Sequence, residues 1–139
     1  MGELFADDED ITGTETVLLV EDEAFVRMVT AEVLESAGYR VVVAGSATEA
    51  LENLEAQQRC SKSSDLLLAD VVLPGMSGYE LANAFGKLCP SGRVLLMTGY
   101  VEQLGWCGES SRGRGYLAKP FSARMLLRSV RAAMDTNAS

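Results

Sequence analysis

The sequence predicts an α/β fold, a doubly wound five-stranded parallel sheet with five helices, and three observations lead there. Short apolar runs alternate with stretches of helical periodicity along nearly the whole chain. The runs are continuous rather than alternating apolar and polar, as strands buried on both faces must be. Helix-start and helix-stop residues punctuate the intervals. Strict alternation of strand and helix implies a parallel sheet covered on both faces, with right-handed crossovers.

Thr16–Val20 (TVLLV) is the first such run, and it ends at acids. Residues 23–37 follow as a helix in which Phe25, Val29, Val33 and Ala37 recur at helical spacing, with Gly38 where a left-handed C-cap is wanted. Tyr39–Ala44 is the second strand. Ser46 with Glu49 matches a capping box that opens a helix to about Gln58, with Ala47, Leu51 and Leu54 inward. Leu66–Ala69 is the third strand, ending at Asp70. Ser77 with Glu80 is a second capping box, and its helix ends before Pro90. Arg93–Met97 is the fourth strand. Residues 101–115 contain four glycines, so a helix there is expected to be short or frayed. Tyr116–Ala118 is a short fifth strand, and Ser122–Met134 is the last helix, with Met125, Leu126 and Val130 facing the core.

The 139 residues suffice for one domain, and 47% hydrophobic with 23% charged residues is ordinary for a globular chain. The expected organisation is an acidic solvated tail or linker over residues 1–14, one domain over 15–135 and a short C-terminal tail over 136–139. No stretch approaches the ~20 apolar residues of a membrane span, so no membrane insertion is expected. The acidic start lacks the basic n-region of a signal peptide. Twelve basic against twenty acidic residues, net −8, argues against a nucleic-acid partner. Cys60, Cys89 and Cys107 are an odd count without CxxC spacing, which fits a reducing, cytoplasmic setting. The chain has no histidine, which removes Ser-His-Asp and Cys-His nucleophilic machinery, HExxH zinc sites and imidazole acid–base chemistry.

In an open parallel sheet the functional groups gather beyond the carboxyl ends of the strands, at the topological switch point. Glu21-Asp22 follow the first strand, Asp70 the third, Thr98-Gly99-Tyr100 the fourth and Lys119-Pro120 the fifth. Two unit charges 4 Å apart repel by about 4 kcal/mol at an effective dielectric of 20. Three adjacent carboxylates therefore demand a cation: Lys119, a divalent metal, or both. An all-oxygen site with room for water suits Mg²⁺.

The segments VLLVEDE, LLLADVVLPGMSGYEL, VLLMTGY and YLAKPF, in this order, resemble the signature segments of the receiver domain of two-component response regulators, over residues 15–135. Their style is similar to receivers attached to hybrid histidine kinases. The resemblance implies a flavodoxin-like fold of the receiver type. It implies that Asp70 is the phosphoacceptor, taking a phosphoryl group from a phosphohistidine on a histidine kinase or histidine phosphotransfer protein. Glu21, Asp22, Asp70 and the backbone carbonyl of Val72 would hold Mg²⁺. Lys119 would neutralise phosphoryl oxygens, and Thr98 would hydrogen-bond one of them, assisted by the N–H groups of Val71 and Gly99. Tyr116 matches an aromatic switch position, rotating inward as Thr98 moves and repacking the face of the fourth helix, fifth strand and fifth helix. Pro120 matches a position that uses a cis peptide bond.

Three features depart from the commonest pattern. Glu21 stands where many receivers have Asp, Val72 is apolar, and Tyr100 is bulky; Val72 and Tyr100 flank the path of a hydrolytic water. Arg124, Arg128 and Arg131 form one stripe on the last helix, either a solvated face or a docking surface for an acidic partner or a dimer mate. Three functions compete: a phosphoacceptor signalling module that is no enzyme beyond its own phosphorylation and dephosphorylation, a phosphatase or phosphotransferase, and a degenerate receiver that only binds partners. An Asp-nucleophile phosphatase needs a general acid two residues after the nucleophile, where this chain has Val72. A degenerate receiver predicts a broken acid pocket, and Glu21, Asp22, Asp70, Thr98 and Lys119 are all present.

Overall fold

The computed structural model describes residues 11–99 and 114–135. In chain order these form β1 (Thr16–Val20), α1 (Ala24–Ser36), β2 (Arg40–Ala44), α2 (Ala47–Arg59), β3 (Leu66–Asp70), α3 (Gly78–Leu88), β4 (Arg93–Thr98), β5 (Arg114–Ala118) and α4 (Ala123–Asp135). The expected helix of residues 101–115 falls almost wholly outside the described residues. The strands make one parallel sheet in the order β2-β1-β3-β4-β5. The order reverses between β1 and β3, so the switch-point crevice opens beyond Val20 and Asp70.

Alternate residues of the central strands feed two separate cores. Leu18, Val20, Leu67, Ala69 and Leu96 pack with α2 and α3 on one face. Val17, Leu19, Leu66, Leu68, Leu95 and Met97 pack with α1 and α4 on the other. This double cover explains why β1, β3 and β4 read as unbroken apolar runs. The helix starts are equally local. At α3 the capping box is complete: the Ser77 hydroxyl accepts from Glu80 N–H at 3.1 Å and the Glu80 carboxylate accepts from Ser77 N–H at 3.0 Å. At α2 the Ser46 hydroxyl accepts from Glu49 N–H, but the Glu49 carboxylate reaches one residue further back, to Gly45 N–H. Gly38 ends α1 with φ +106°, as expected.

Several expectations are corrected. On α1 the buried residues are Thr30 and Leu34, while Phe25 (70% exposed) and Val29 face outward. On α4 the core face is Leu126, Leu127 and Val130, and Met125 is 48% exposed. Spacing alone marks a stripe but not its rotation about the helix axis. Arg131 leaves the basic stripe: it pairs with Glu15 at 2.7 Å and Asp135 at 3.0 Å, and donates to the Thr12 carbonyl and the Tyr39 hydroxyl.

Of residues 11–14, expected to be solvated, Thr12 and Thr14 are exposed but Ile11 is buried and Gly13 half-buried. Ile11 is 1% exposed within the α1–α4 core, and Gly13 N–H donates to the Ala37 carbonyl at 3.1 Å. The acidic run before Ile11 conceals an apolar anchor that Arg131 clasps from the other side. Truncating a buried isoleucine removes transfer free energy and leaves a cavity. Ile11→Ala is expected to lower the urea-unfolding free energy by about 2–4 kcal/mol. The exposed Val43→Ala should change it by less than about 0.5 kcal/mol. Equal midpoints for the two variants would show that the segment contributes nothing.

Candidate functional site

Parallel strands in register bring their ends to one edge. Asp70 pairs with Met97 and Thr98 with Ala118, so Asp70, Thr98 and Lys119 emerge within one residue of one another on adjacent strands. Lys119 N–H donates to the Thr98 carbonyl at 2.8 Å, which extends the ladder to the lysine. The Lys119–Pro120 peptide bond is cis, as the sequence suggested.

The Lys119 ammonium ties β5 to β1 and β3. Its Nζ donates to Asp70 Oδ2 at 2.7 Å and to Glu21 Oε1 at 3.0 Å. Glu21 is 2% exposed and its other oxygen accepts from Glu23 N–H at 3.1 Å. Asp22 is exposed. One carboxylate oxygen from each of Glu21, Asp22 and Asp70 lies within 4.8 Å of the others. One ammonium thus bonds two of three clustered carboxylates in a half-buried cleft.

That imbalance divides the pair that shares the lysine. Burial raises the Asp70 carboxyl and so does Glu21 beside it, against the Lys119 hydrogen bond, and the balance holds it at about 6. For Glu21, burial again works upward, but hydrogen bonds from Lys119 and Glu23 N–H outweigh it and keep the group below the usual carboxylate range. Burial alone would depress the Lys119 ammonium; its bonds to Asp70 and Glu21 hold it above its ordinary value. The acid on which the nucleophilic role was expected to fall is therefore the under-compensated one. The donor set, three carboxylates with a charge deficit, fits a small hard divalent cation.

The loop after Asp70 turns at Pro74-Gly75, with φ +80° at Gly75. Gly78 N–H donates to the Val71 carbonyl at 2.7 Å, and a Cβ at Gly78 would strike the Asp70 carbonyl oxygen. Only glycine lets α3 begin this close to the loop. Val72 stands in that loop with its side chain exposed. Val71 N–H donates to the Met97 carbonyl at 2.9 Å. That bond belongs to the β3–β4 ladder, so this amide is not the ready oxyanion donor that was expected.

Thr98 is 3% exposed at the end of β4. Tyr116 is half-buried against the α2–α3 core, and its hydroxyl donates to the Tyr79 hydroxyl at 3.1 Å, the rings meeting edge-on at 6.5 Å. Tyr100 lies outside the described residues. Tyr79 and Arg27, whose Nη1 donates to the Glu21 carbonyl at 2.7 Å, are the contacts sequence reasoning missed. Tyr79 lies 37 positions from its partner and carries no local signal. Arg27 left a faint one, as the basic residue of a helix turn directly after the acid pair. Exposed Phe25, Val29 and Pro120, with half-buried Val26 and Phe121, line a groove of about 480 Å³ that reaches Lys119.

Residues 17–131 match the model of the response regulator receiver domain. The chain is 36% identical over 127 residues to the sensor kinase CckA of Brucella abortus, covering 91% of this chain and 13% of the kinase. It is 31% identical to the response regulator receiver protein CpdR of the same organism, covering 82% of this chain and 92% of that protein. Among solved structures, the receiver domain of the hybrid histidine kinase CckA superposes with a TM-score of 0.73 at 30% identity, over 86% of this chain and 99% of that domain. The fold, the acid cluster and these matches agree: the chain belongs to the response regulator receiver domain family of two-component signalling.

Proposed function

We propose that this receiver domain is a phosphoacceptor in a two-component phosphorelay, with Asp70 taking the phosphoryl group from a phosphohistidine. The observation that carries the reading is the shared Lys119 ammonium, 2.7 Å from Asp70 and 3.0 Å from Glu21, at the sheet's switch point. An Asp70 carboxylate oxygen attacks phosphorus in line, the phosphorus–nitrogen bond to the donor imidazole breaks, and an acyl phosphate forms. The imidazole leaves with the bonding pair and takes a proton from solvent. The protein's work is positioning and charge neutralisation.

Glu21, Asp22 and Asp70, with the Val72 carbonyl, would hold Mg²⁺, which when bound supplies positive charge to the phosphoryl oxygens. Lys119 exchanges part of its bond to Asp70 for a phosphoryl oxygen, and Thr98 donates its hydroxyl to another. Movement of Thr98 frees space beside β5, and Tyr116 repacks at the cost of its bond to Tyr79. The partner is a histidine kinase or a histidine phosphotransfer protein, for whose histidine-bearing helix the groove of Phe25, Val26, Val29, Pro120 and Phe121 offers an apolar footing beside Lys119. The degenerate-receiver alternative is disfavoured by the same geometry, since Lys119, Asp70 and Glu21 keep a complete ionic set.

With Mg²⁺, beryllofluoride is expected to shift backbone amide resonances around Asp70, Thr98 and Lys119 in the wild type and to leave Asp70→Asn unchanged. Wild-type spectra that ignore beryllofluoride would sink the phosphoacceptor reading and favour a module that only binds partners.

The raised Asp70 carboxyl predicts a pH dependence. An acid whose folded pKa exceeds its unfolded value stabilises the fold below the unfolded value, and the contribution is lost as pH rises through the folded one. Without metal, stability should fall by about 1 kcal/mol between pH 5 and 7 through this group. The lowered Glu21 and Glu15 act in the opposite sense below about 4.5, outside that window, and no histidine titrates within it. Urea unfolding in chelator should show the decline in wild type and a flatter profile in Asp70→Asn. Mg²⁺ should abolish the decline, because the cation takes the proton's place. Matching profiles for the two proteins would refute the assignment.

Val72 is exposed and apolar at the mouth of the site. Val72→Asn is expected to shorten the acyl-phosphate lifetime severalfold by giving an attacking water a hydrogen-bonding partner. Decay of phosphate-loaded protein at neutral pH measures it, and an unchanged lifetime would remove Val72 from the control of hydrolysis.

A further inference from the structure

Asp22 and Glu21 sit in a turn of three residues between Val20 and the start of α1 at Ala24. The backbone of Glu21 is pinned on both sides. Its N–H donates to the Ala44 carbonyl at 3.1 Å, and its carbonyl accepts from Arg27 Nη1 at 2.7 Å. Its own carboxylate then accepts from Glu23 N–H at 3.1 Å, closing the turn on itself. The plane of the peptide joining Glu21 to Asp22 follows from these bonds, and that plane fixes the direction in which the Asp22 side chain leaves the chain. No hydrogen bond among the described residues holds the Asp22 carboxylate, so the backbone aims it.

Arg27 is suited to this task. Its guanidinium is fixed in charge and planar, and its bond to a carbonyl is stronger than a neutral one. It is half-buried on α1, so its stem is held by the helix whose first turn it braces. Its seat extends to the end of β2: a Cβ at Gly45 would lie 3.1 Å from Arg27 Nη1, so the absence of a side chain at Gly45 leaves the guanidinium its room. One side chain thus bridges the ends of β1, β2 and α1, without joining the three carboxylates.

We propose that Arg27 is the positioning residue of the carboxylate pair, setting the affinity of Glu21 and Asp22 for a divalent cation without touching it. The proposal rests on the reading of the acid cluster as a cation site. Groups that orient ligands from outside the first coordination layer change metal affinity by about 10–100-fold. Arg27→Met keeps the apolar stem and removes the donor, so Mg²⁺ binding by isothermal titration should weaken by about tenfold. Arg27→Lys keeps charge and a donor and should recover a large part of the loss.

A second readout needs no metal. In chelator, hydrogen exchange of the Glu23 amide reports directly whether the Glu21 carboxylate is in place, and Arg27→Met should speed it about tenfold while amides at the centre of β1 and β3 keep their protection. An Mg²⁺ affinity within twofold of wild type, or an exchange increase spread evenly over β1, β3 and α1, overturns the positioning role. If Arg27→Met does not fold, Arg27→Gln carries the same comparison. Wild-type protein that fails to bind Mg²⁺ would overturn the cation-site reading itself. Wild-type binding with an unaffected variant would overturn Arg27 alone.

Discussion

A deficit of positive charge governs this molecule. Three carboxylates converge where the sheet order reverses, and one ammonium answers them. At an effective dielectric of 20, each additional close pair of like charges costs about 4 kcal/mol. The fold sustains this because rigid elements hold the groups: β1 and β3 are buried on both faces and cannot yield, and Lys119 reaches across from β5. The same deficit makes the cleft receptive to cations and to protons.

The deficit also separates two acids that look alike in sequence. Glu21 is nearly sealed and takes two hydrogen bonds, from Lys119 and from Glu23 N–H, so it stays ionised. Asp70, 14% exposed at its side chain, has the same lysine but also a charged neighbour in Glu21. Environment, not residue type, assigns one the role of a fixed counter-charge and the other that of the group whose state can change.

Much of the architecture was legible in the residues because its causes are local. TVLLV and LLLAD are apolar throughout, since helices cover both faces, and Ser77 with Glu80 writes its capping box directly into the chain. The site was legible because a parallel sheet delivers its strand ends to one edge whatever the loops do. What failed was whatever depends on partners distant in sequence. Phe25 and Val29 keep helical spacing yet face outward, because the seat of α1 on the sheet is decided by Thr30 and Leu34. Ile11 sits behind an acidic run and is buried only because α1 and α4 make a pocket for it. Arg131 repeats the spacing of a solvated stripe, but Glu15, 116 positions earlier, draws it in. Tyr79 and Tyr116 meet for the same kind of reason.

The Arg131 clasp has an architectural consequence. α4 runs back along the sheet from the site edge, so its last turn at Asp135 arrives beside Glu15, the residue that leads into β1. A single guanidinium thus fastens the residue that leads into β1 to the last turn of α4. They lie at the amino edge of the sheet, and Glu15 is six residues of extended chain, or about 20 Å, from Glu21. The clasp therefore sits at the edge of the sheet opposite the carboxylates. The fold is thereby closed by an ion pair of its own, and a change of charge among the carboxylates at one edge of the sheet leaves the fastening at the other in place.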